Sequence, residues 1–123
     1  MSRLERLRDE HNVWLATAYP DGRPHLTPIW FAWHADRMWL CTNASAVKAR
    51  NVSREPRVMI SLESGGSPVV GEGRARVRQR PYPADVVDAF IAKFEWDISA
   101  PDNDGPYDAL IEIEITRWLM GGE

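Results

Sequence analysis

The sequence has little of what disulfide, metal and dinucleotide sites require. Cysteine occurs once, at Cys41, so no disulfide can form within the chain, and we interpret this cysteine as a small strand residue. The three histidines, His11, His25 and His34, show no spacing typical of zinc ligands, so we expect no metal site. Residues 71–73 read Gly-Glu-Gly, but no third glycine and no helix follow as a dinucleotide fingerprint requires.

Long apolar runs are also missing. No stretch approaches the length of a membrane span, and the N-terminal residues are charged rather than typical of a signal peptide. We therefore expect a cytoplasmic protein without a membrane partner. The 123 residues predict a single domain, 1–123. A chain of this size has an unfavourable ratio of surface to volume, so a dimer would help it to bury apolar surface.

Charge is unevenly distributed around a formal net charge of −3. Residues 48–80 are rich in arginine, whereas residues 85–114 carry many acids and Lys93 as their one basic residue. The basic middle favours an anionic ligand, and the acidic segment argues against nucleic-acid binding. Arg74, Arg76 and Arg78 alternate with small apolar residues, which places them on one face of a strand. The alternative interpretation is a solvated charged face.

Short β-prone segments separated by turn residues dominate the chain. They predict strands at 13–19, 25–33, 38–42, 57–62, 69–79 and 107–120, and helices at 2–11, 44–52 and 83–96. Pro28 lies inside the second strand, which indicates an edge, a bulge or a ligand contact. Glycines in the fifth strand indicate a bulge or a barrel corner. The expected fold is mainly β: an antiparallel β-barrel of about six strands with flanking helices.

The most informative stretch is residues 24–57, which contains three of the six tryptophans. Thr42, Ser45 and Lys48 follow a strand and open a helix, where hydroxyl groups, helix-terminal amides and a cation suit a phosphate. Residues 27–31, Thr-Pro-Ile-Trp-Phe, can form an apolar wall with backbone donors for a planar ring. Together they predict a phosphorylated aromatic cofactor. The alternative is a helix capped by Asn43 or Ser45 beside aromatic core strands.

Three segments in order resemble the flavin-binding split β-barrel proteins related to pyridoxamine 5′-phosphate oxidase. They are LATAYPDGRPHLTPIWF (15–31), WLCTNASAVKARNVSREPRVMISL (39–62) and GEGRARV (71–77), which together cover about half of the chain. The T-N-x-S-x-x-K-x-x-N string is the most specific of these motifs. The chain is most similar to the small actinobacterial branch that uses the deazaflavin coenzyme F-420.

The resemblance implies an FMN-binding split barrel type of fold and a homodimer with cofactor sites at the subunit interface. It implies that Thr42, Ser45 and Lys48 hold the cofactor phosphate, and that Thr27, Pro28, Ile29 and Trp30 lie along the ring. Arg50 and Arg54 become candidates for the phosphate or for the acidic tail of F-420. Asn51 would brace the helix, and Trp118 would lie near the partner's site.

The sequence departs from the classical oxidase in ways that bear on the cofactor. Val47 stands where the oxidase has a basic residue before the lysine, so tight FMN binding is less favoured. The substrate-binding tail of the oxidase is absent, which argues against pyridoxamine 5′-phosphate as substrate. We therefore predict an F-420-dependent oxidoreductase that transfers hydride to or from a small unsaturated or quinone-like molecule.

Two alternatives stay open: an FMN-binding flavoprotein of this family, or a non-catalytic protein that binds FMN or F-420. No side chain marks an obligatory acid or base, so the catalytic residues are not predicted. His25 and Tyr19 are possible proton donors, although a structural role suits each of them better.

Overall fold

A computed structural model describes residues 1–100 and 106–121. Three helices and seven strands follow one another in this part of the chain. They are α1 (Arg3–Asp9), β1 (Asn12–Ala18), β2 (Pro24–Trp30), β3 (Ala32–His34), β4 (Arg37–Thr42), α2 (Val47–Arg54), β5 (Arg57–Leu62), β6 (Val70–Gln79), α3 (Ala84–Phe94) and β7 (Ala109–Met120). The mainly β class and the three helices are thus as predicted. Part of the predicted loop 97–106 lies outside the described residues.

All seven strands form one antiparallel sheet in the order β2-β1-β5-β6-β7-β4-β3. The two edge strands, β2 and β3, are consecutive in sequence and are joined by Phe31 alone. The sheet must therefore curl until its edges meet at this residue, although β2 and β3 do not pair. This is the predicted split β-barrel: a rolled sheet that is not closed by hydrogen bonds.

The strand predicted at 25–33 is wrong in one respect, because it divides at Phe31 into two strands that pair with different neighbours. Thr27 lies opposite Leu15 of β1, whereas Trp33 lies opposite Met38 of β4. Phe31 is fully buried, and its backbone N–H donates to the His11 carbonyl, which extends the β1–β2 register by one pair before the chain passes into β3. Pro28 is tolerated within β2 because an edge strand leaves one side unpaired.

The barrel core follows the alternation of apolar residues along the strands. Side chains such as Val13, Leu15, Ile60 and Ile113 point inward and are almost inaccessible to water. A second apolar cluster lies outside the sheet, where α3 packs Val86 and Phe90 against Trp39, Cys41 and Leu110. The apolar stripe predicted on α3 is therefore core packing, and Cys41 is a buried strand residue.

The glycines of β6 mark the bend that the sequence predicted. The pairing register between β6 and β7 shifts between Val70 and Gly71 and again between Glu72 and Gly73. A Cβ on Gly73 would lie 2.6 Å from the backbone oxygen of Glu114. The two strands therefore approach so closely that only glycine fits at the bend.

The predicted row of arginines on β6 is confirmed as one outward-facing row, and Glu112 of β7 neutralises part of it. The Nε atoms of Arg76 and Arg78 donate to the same Oε1 of Glu112, at 2.9 and 2.6 Å. Arg37 of β4 approaches the other carboxylate oxygen at 3.6 Å. Burial raises the pKa of Glu112, but the guanidinium groups of Arg76 and Arg78 outweigh it and hold the pKa below its usual value. This row therefore forms a cross-strand ion-pair network.

Within the described residues, no helix is long and apolar enough to cross a membrane.

Candidate functional site

The predicted phosphate clamp lies on the connection between β4 and α2. Thr42 is buried at the end of β4, opposite Ala109 of β7. Ser45 is exposed, and its hydroxyl donates to Oδ1 of Asn43 at 2.7 Å. Lys48 is partly buried in the first turn of α2. One short connection thus holds all three residues, within seven positions of the sequence.

Lys48 is a partly buried cation that has no counter-charge among the residues that the structure describes. Burial lowers the pKa of its ammonium group, and no nearby carboxylate opposes that effect. Within residues 1–100 and 106–121, no hydrogen bond or ion pair forms at its side chain. A cation held out of water without a partner is costly, so an anion at this position would be stabilised.

The start of α2 is likewise without a side-chain cap. Helix α2 begins at Val47, and its N-cap residue Ala46 has no side chain that can accept a hydrogen bond. The predicted cap by Asn43 or Ser45 is therefore wrong, because Ser45 bonds to Asn43 instead. Free amides at a helix start are donors for an anion, and Lys48 stands beside them.

The other end of α2 is tied firmly to β1. Asn51 is 3% exposed, and its Nδ2 donates to the Thr17 hydroxyl at 3.1 Å. Arg54 donates to the Ala18 carbonyl and reaches Oδ1 of Asn51 at 3.5 Å. The brace implied for Asn51 is thus present. These bonds fix the helix that carries Lys48 against the barrel, while Arg50 remains exposed to solvent.

The predicted ring wall on β2 is divided between the two faces of the strand. Thr27 and Ile29 point toward the barrel interior, opposite Leu15 and Val13, whereas Pro28 and Trp30 point outward. The indole of Trp30 stacks on Phe94 of α3, with ring centroids 4.6 Å apart and planes 6° apart. Its other side is accessible, since 47% of Trp30 is exposed. The wall therefore presents two surfaces.

Trp118 packs within its own barrel, and its implied place near a partner's site stays a prediction. Its ring covers Gly71, stands 6.2 Å from the Trp33 ring, and packs under the guanidinium of Arg3 at 4.5 Å. This tryptophan therefore belongs to the packing of its own barrel. The sequence did not show this, because the contact depends on the bend of β6.

The sequence marks His25 only as a possible proton donor, and the structure distinguishes one atom of its ring, Nδ1. It is buried and has no hydrogen-bond partner, the one such side-chain nitrogen or oxygen found within the described residues. His25 lies on β2 opposite Thr17, the residue that binds Asn51 of α2. Its position between the predicted ring wall and the helix of Lys48 could be found only from strand register.

The outer face of the sheet is apolar beside this site. Ala16 of β1 lies between Leu26 of β2 and Met59 of β5, and Trp14 follows two residues earlier on the same face. Leu26 is 61% exposed, and the other two large side chains are about as accessible as Trp30. A groove of about 520 Å³ borders this face, and the charged side chains of Arg57, Glu72 and Arg74 line it together with Ala16 and Met59. We refer to Trp14, Leu26 and Met59 as the apolar face.

No group of three or more histidine, cysteine, aspartate or glutamate side chains could hold a metal ion within the described part of the chain. The donors available at the β4–α2 junction are therefore hydroxyl groups, amides and the Lys48 ammonium, and the carboxylate of Asp108 already accepts from the Ala44 backbone N–H at 2.8 Å. Such a donor set fits a phosphate.

Comparison with known proteins agrees with this architecture. A conserved hypothetical protein from Mycobacterium tuberculosis, Rv2991, is 27% identical with a TM-score of 0.73, over 96% of this chain and 82% of that one. An F-420 reductase is 21% identical with a TM-score of 0.73, over 93% of each chain. The heme storage protein HutZ from Vibrio cholerae is 17% identical with a TM-score of 0.78, over 98% and 95%. The latter two likenesses concern the fold alone.

No curated protein matches the sequence significantly. The family model described as pyridoxamine 5′-phosphate oxidase matches residues 3–120, almost the whole chain. The chain therefore belongs to the pyridoxamine 5′-phosphate oxidase family.

Proposed function

We propose that this chain is an F-420-dependent oxidoreductase that works as a homodimer. It transfers hydride to or from a small unsaturated or quinone-like substrate. The observation that carries the proposal is Lys48, a partly buried cation at an uncapped helix start, for which residues 1–100 and 106–121 supply no counter-charge. Membership of the oxidase family and the likeness to an F-420 reductase support the choice of a ring cofactor with a phosphate.

In this site the chain's own residues bind and orient, since F-420 or FMN would supply the hydride chemistry at its ring. Lys48, Thr42, Ser45 and the first amides of α2 would hold the phosphate. Residues 27–30 of β2 would lie along the ring. The bonds from Asn51 and Arg54 to β1 keep α2 in place, so the phosphate position is set before the cofactor arrives.

Val47 favours F-420 over FMN. It stands next to Lys48 in the first turn of α2, where a basic residue would add a second positive charge to the clamp. Arg50 lies two residues beyond Lys48 and is exposed, and we assign it to the acidic tail of F-420. FMN has no such tail, so Arg50 distinguishes the two cofactors.

The apolar face is the proposed dimer interface. Its exposed tryptophan, leucine and methionine form a continuous patch, the kind of surface that association buries. Leu26→Glu should convert a dimer into a monomer in light scattering with size exclusion, whereas Ile91→Glu should not. Ile91 is also an exposed apolar residue, at 42%, but lies on α3 away from this face. A monomeric wild type would overturn the dimer.

Cofactor titration tests the central proposal. Purified protein stripped of ligand is titrated with F-420 and with FMN, and fluorescence quenching is followed. We expect F-420 to bind more tightly, Val47→Arg to strengthen FMN binding, and Arg50→Gln to weaken F-420 binding only. Binding of neither cofactor would overturn the proposal, as would exclusive binding of hemin in a parallel titration.

Turnover separates the enzyme from a non-catalytic binding protein. The loaded protein with reduced F-420 is mixed with a panel of enones and quinones, and the deazaflavin absorbance is followed. Oxidation of F-420 by one class of acceptor supports an oxidoreductase. Tight binding without oxidation by any of them would assign the chain to cofactor binding alone.

A further inference from the structure

His25 carries the one buried polar side-chain atom without a partner that was found among the described residues. It lies one residue inside the start of β2, on the same face of the strand as Thr27 and Ile29. Nδ1 of its imidazole is inaccessible to solvent and makes no hydrogen bond. Buried polar groups in native proteins nearly always have a partner, so this atom requires an explanation.

The surroundings of His25 fix the position of its ring. Tyr19 meets the imidazole edge to face, with centroids 5.4 Å apart and planes at 89°. The guanidinium of Arg23 covers the Tyr19 ring at 4.5 Å. These contacts hold the ring but offer Nδ1 neither a donor nor an acceptor.

The same surroundings connect His25 to the phosphate clamp. Thr17 lies directly opposite His25 in the β1–β2 register, and such paired residues have Cβ atoms about 4.5–5.5 Å apart. The Thr17 hydroxyl accepts from Asn51, which lies three residues after Lys48. Residues three apart are neighbours on a helix surface. A line of adjacent side chains thus leads from Lys48 to His25.

We propose that His25 is a ligand-positioning residue of this site. Its Nδ1 hydrogen-bonds to a polar group of the phosphorylated ring cofactor held at Lys48. It does so through a water molecule that the cofactor orders. The proposal rests on the proposed function, because it needs a cofactor at the clamp.

This assignment predicts opposite effects on the free and the loaded protein. In the free protein an unpaired buried nitrogen is unfavourable, so its removal stabilises the fold. In the loaded protein the nitrogen has a partner, so the same removal weakens cofactor binding. A histidine that only packs against Tyr19 would not separate the two effects in this way.

Three substitutions test the role of the nitrogen. His25→Phe keeps a ring against Tyr19 and removes both nitrogens. His25→Asn places a polar atom near the position of Nδ1, whereas His25→Gln places one near Nε2. Each variant and the wild type are titrated with F-420 and FMN by fluorescence quenching, and thermal unfolding of the free proteins is measured alongside.

We expect His25→Phe to raise the unfolding temperature of the free protein and to weaken cofactor binding about fivefold to tenfold. His25→Asn should bind within about twofold of the wild type, whereas His25→Gln should resemble the phenylalanine variant. If His25→Phe does not fold, the comparison of asparagine with glutamine decides. In the wild type, the nitrogen-15 shift of Nδ1 should change when cofactor is added.

Equal binding by the wild type and all three variants would overturn this inference and leave the proposed function standing. Equal weakening by asparagine, glutamine and phenylalanine would also overturn it, since Nδ1 would then have no special role. Binding of neither cofactor by the wild type would instead overturn the proposed function, and this inference with it.

Discussion

The two lysines of this chain lie in similar degrees of burial but in very different surroundings. Burial lowers the pKa of both, that of Lys93 to about 8. The ammonium of Lys93 lies 3.9 Å above the Phe31 ring and 3.4 Å from the Leu7 carbonyl. Lys48 has no such partner within the described residues.

The contacts of Lys93 give it a role in packing, whereas those of Lys48 do not. Lys93 joins α3 to the end of α1, where the carboxylates of Asp9 and Glu10 also favour its charge. It therefore contributes to the packing of two helices. For Lys48 the described part of the chain supplies no compensating carboxylate or carbonyl, so its charge suits a ligand. This contrast, rather than a sequence motif, is our reason to propose that Lys48 binds an anion while Lys93 serves packing.

Removal of each charge in turn is the strongest test of this contrast. Lys48→Met should weaken F-420 or FMN binding about 10-fold to 100-fold, because a charged hydrogen bond to phosphate is lost. Lys93→Met should bind either cofactor within about twofold of the wild type, because the Lys93 amine donates to the Leu7 carbonyl of α1. Fluorescence titration of both variants checks this. Equal losses in the two variants would contradict the distinction.

The attachment of α2 to the barrel should show the next largest effect. Asn51→Ala leaves the buried Thr17 hydroxyl without its partner and should lower the free energy of unfolding by about 1–3 kcal/mol. Ser53→Ala, an exposed position on the same helix, is the control and should change it by less than about 0.5 kcal/mol. Urea denaturation measures both. A stable Asn51→Ala protein would show that the brace is unimportant.

Loss of the Lys48 charge should help the free protein slightly. Lys48→Met removes a cation that burial disfavours, so the unfolding temperature without cofactor should rise by about 1–3 °C. Added cofactor should then stabilise the wild type but not the variant. Differential scanning fluorimetry with and without F-420 measures the two effects. A lower unfolding temperature for free Lys48→Met would mean that the fold itself uses this charge.

The smallest effect that we expect is the contribution of Lys93 to the pH dependence of stability. Its folded pKa, about 8, lies below its ordinary value, so the folded state releases this proton first as pH rises. Above about pH 8 the unfolded chain holds more protons, and the free energy of unfolding therefore increases toward pH 9.5. Lys93→Met should reduce this increase in urea titrations. If the free energy of unfolding depends on pH identically in wild type and variant, Lys93 does not cause the increase.

Much of the fold could be read from local patterns. Alternating apolar residues located the strands, and the stripe on α3 located its buried side with Val86 and Phe90. The division of one predicted strand at Phe31 could not be found in this way. It depends on which partner strand each half meets, and that is a property of the rolled sheet.

The sequence by itself determined that Thr42, Ser45 and Lys48 follow one another at a strand-to-helix connection, because short sequence separation forces them together. Only the tertiary structure decided that Lys93 has its partners and that Lys48 has no counter-charge among the described residues. Only strand register placed His25 opposite Thr17 and so beside α2. Burial and partnership arise from residues distant in sequence, which local patterns do not record.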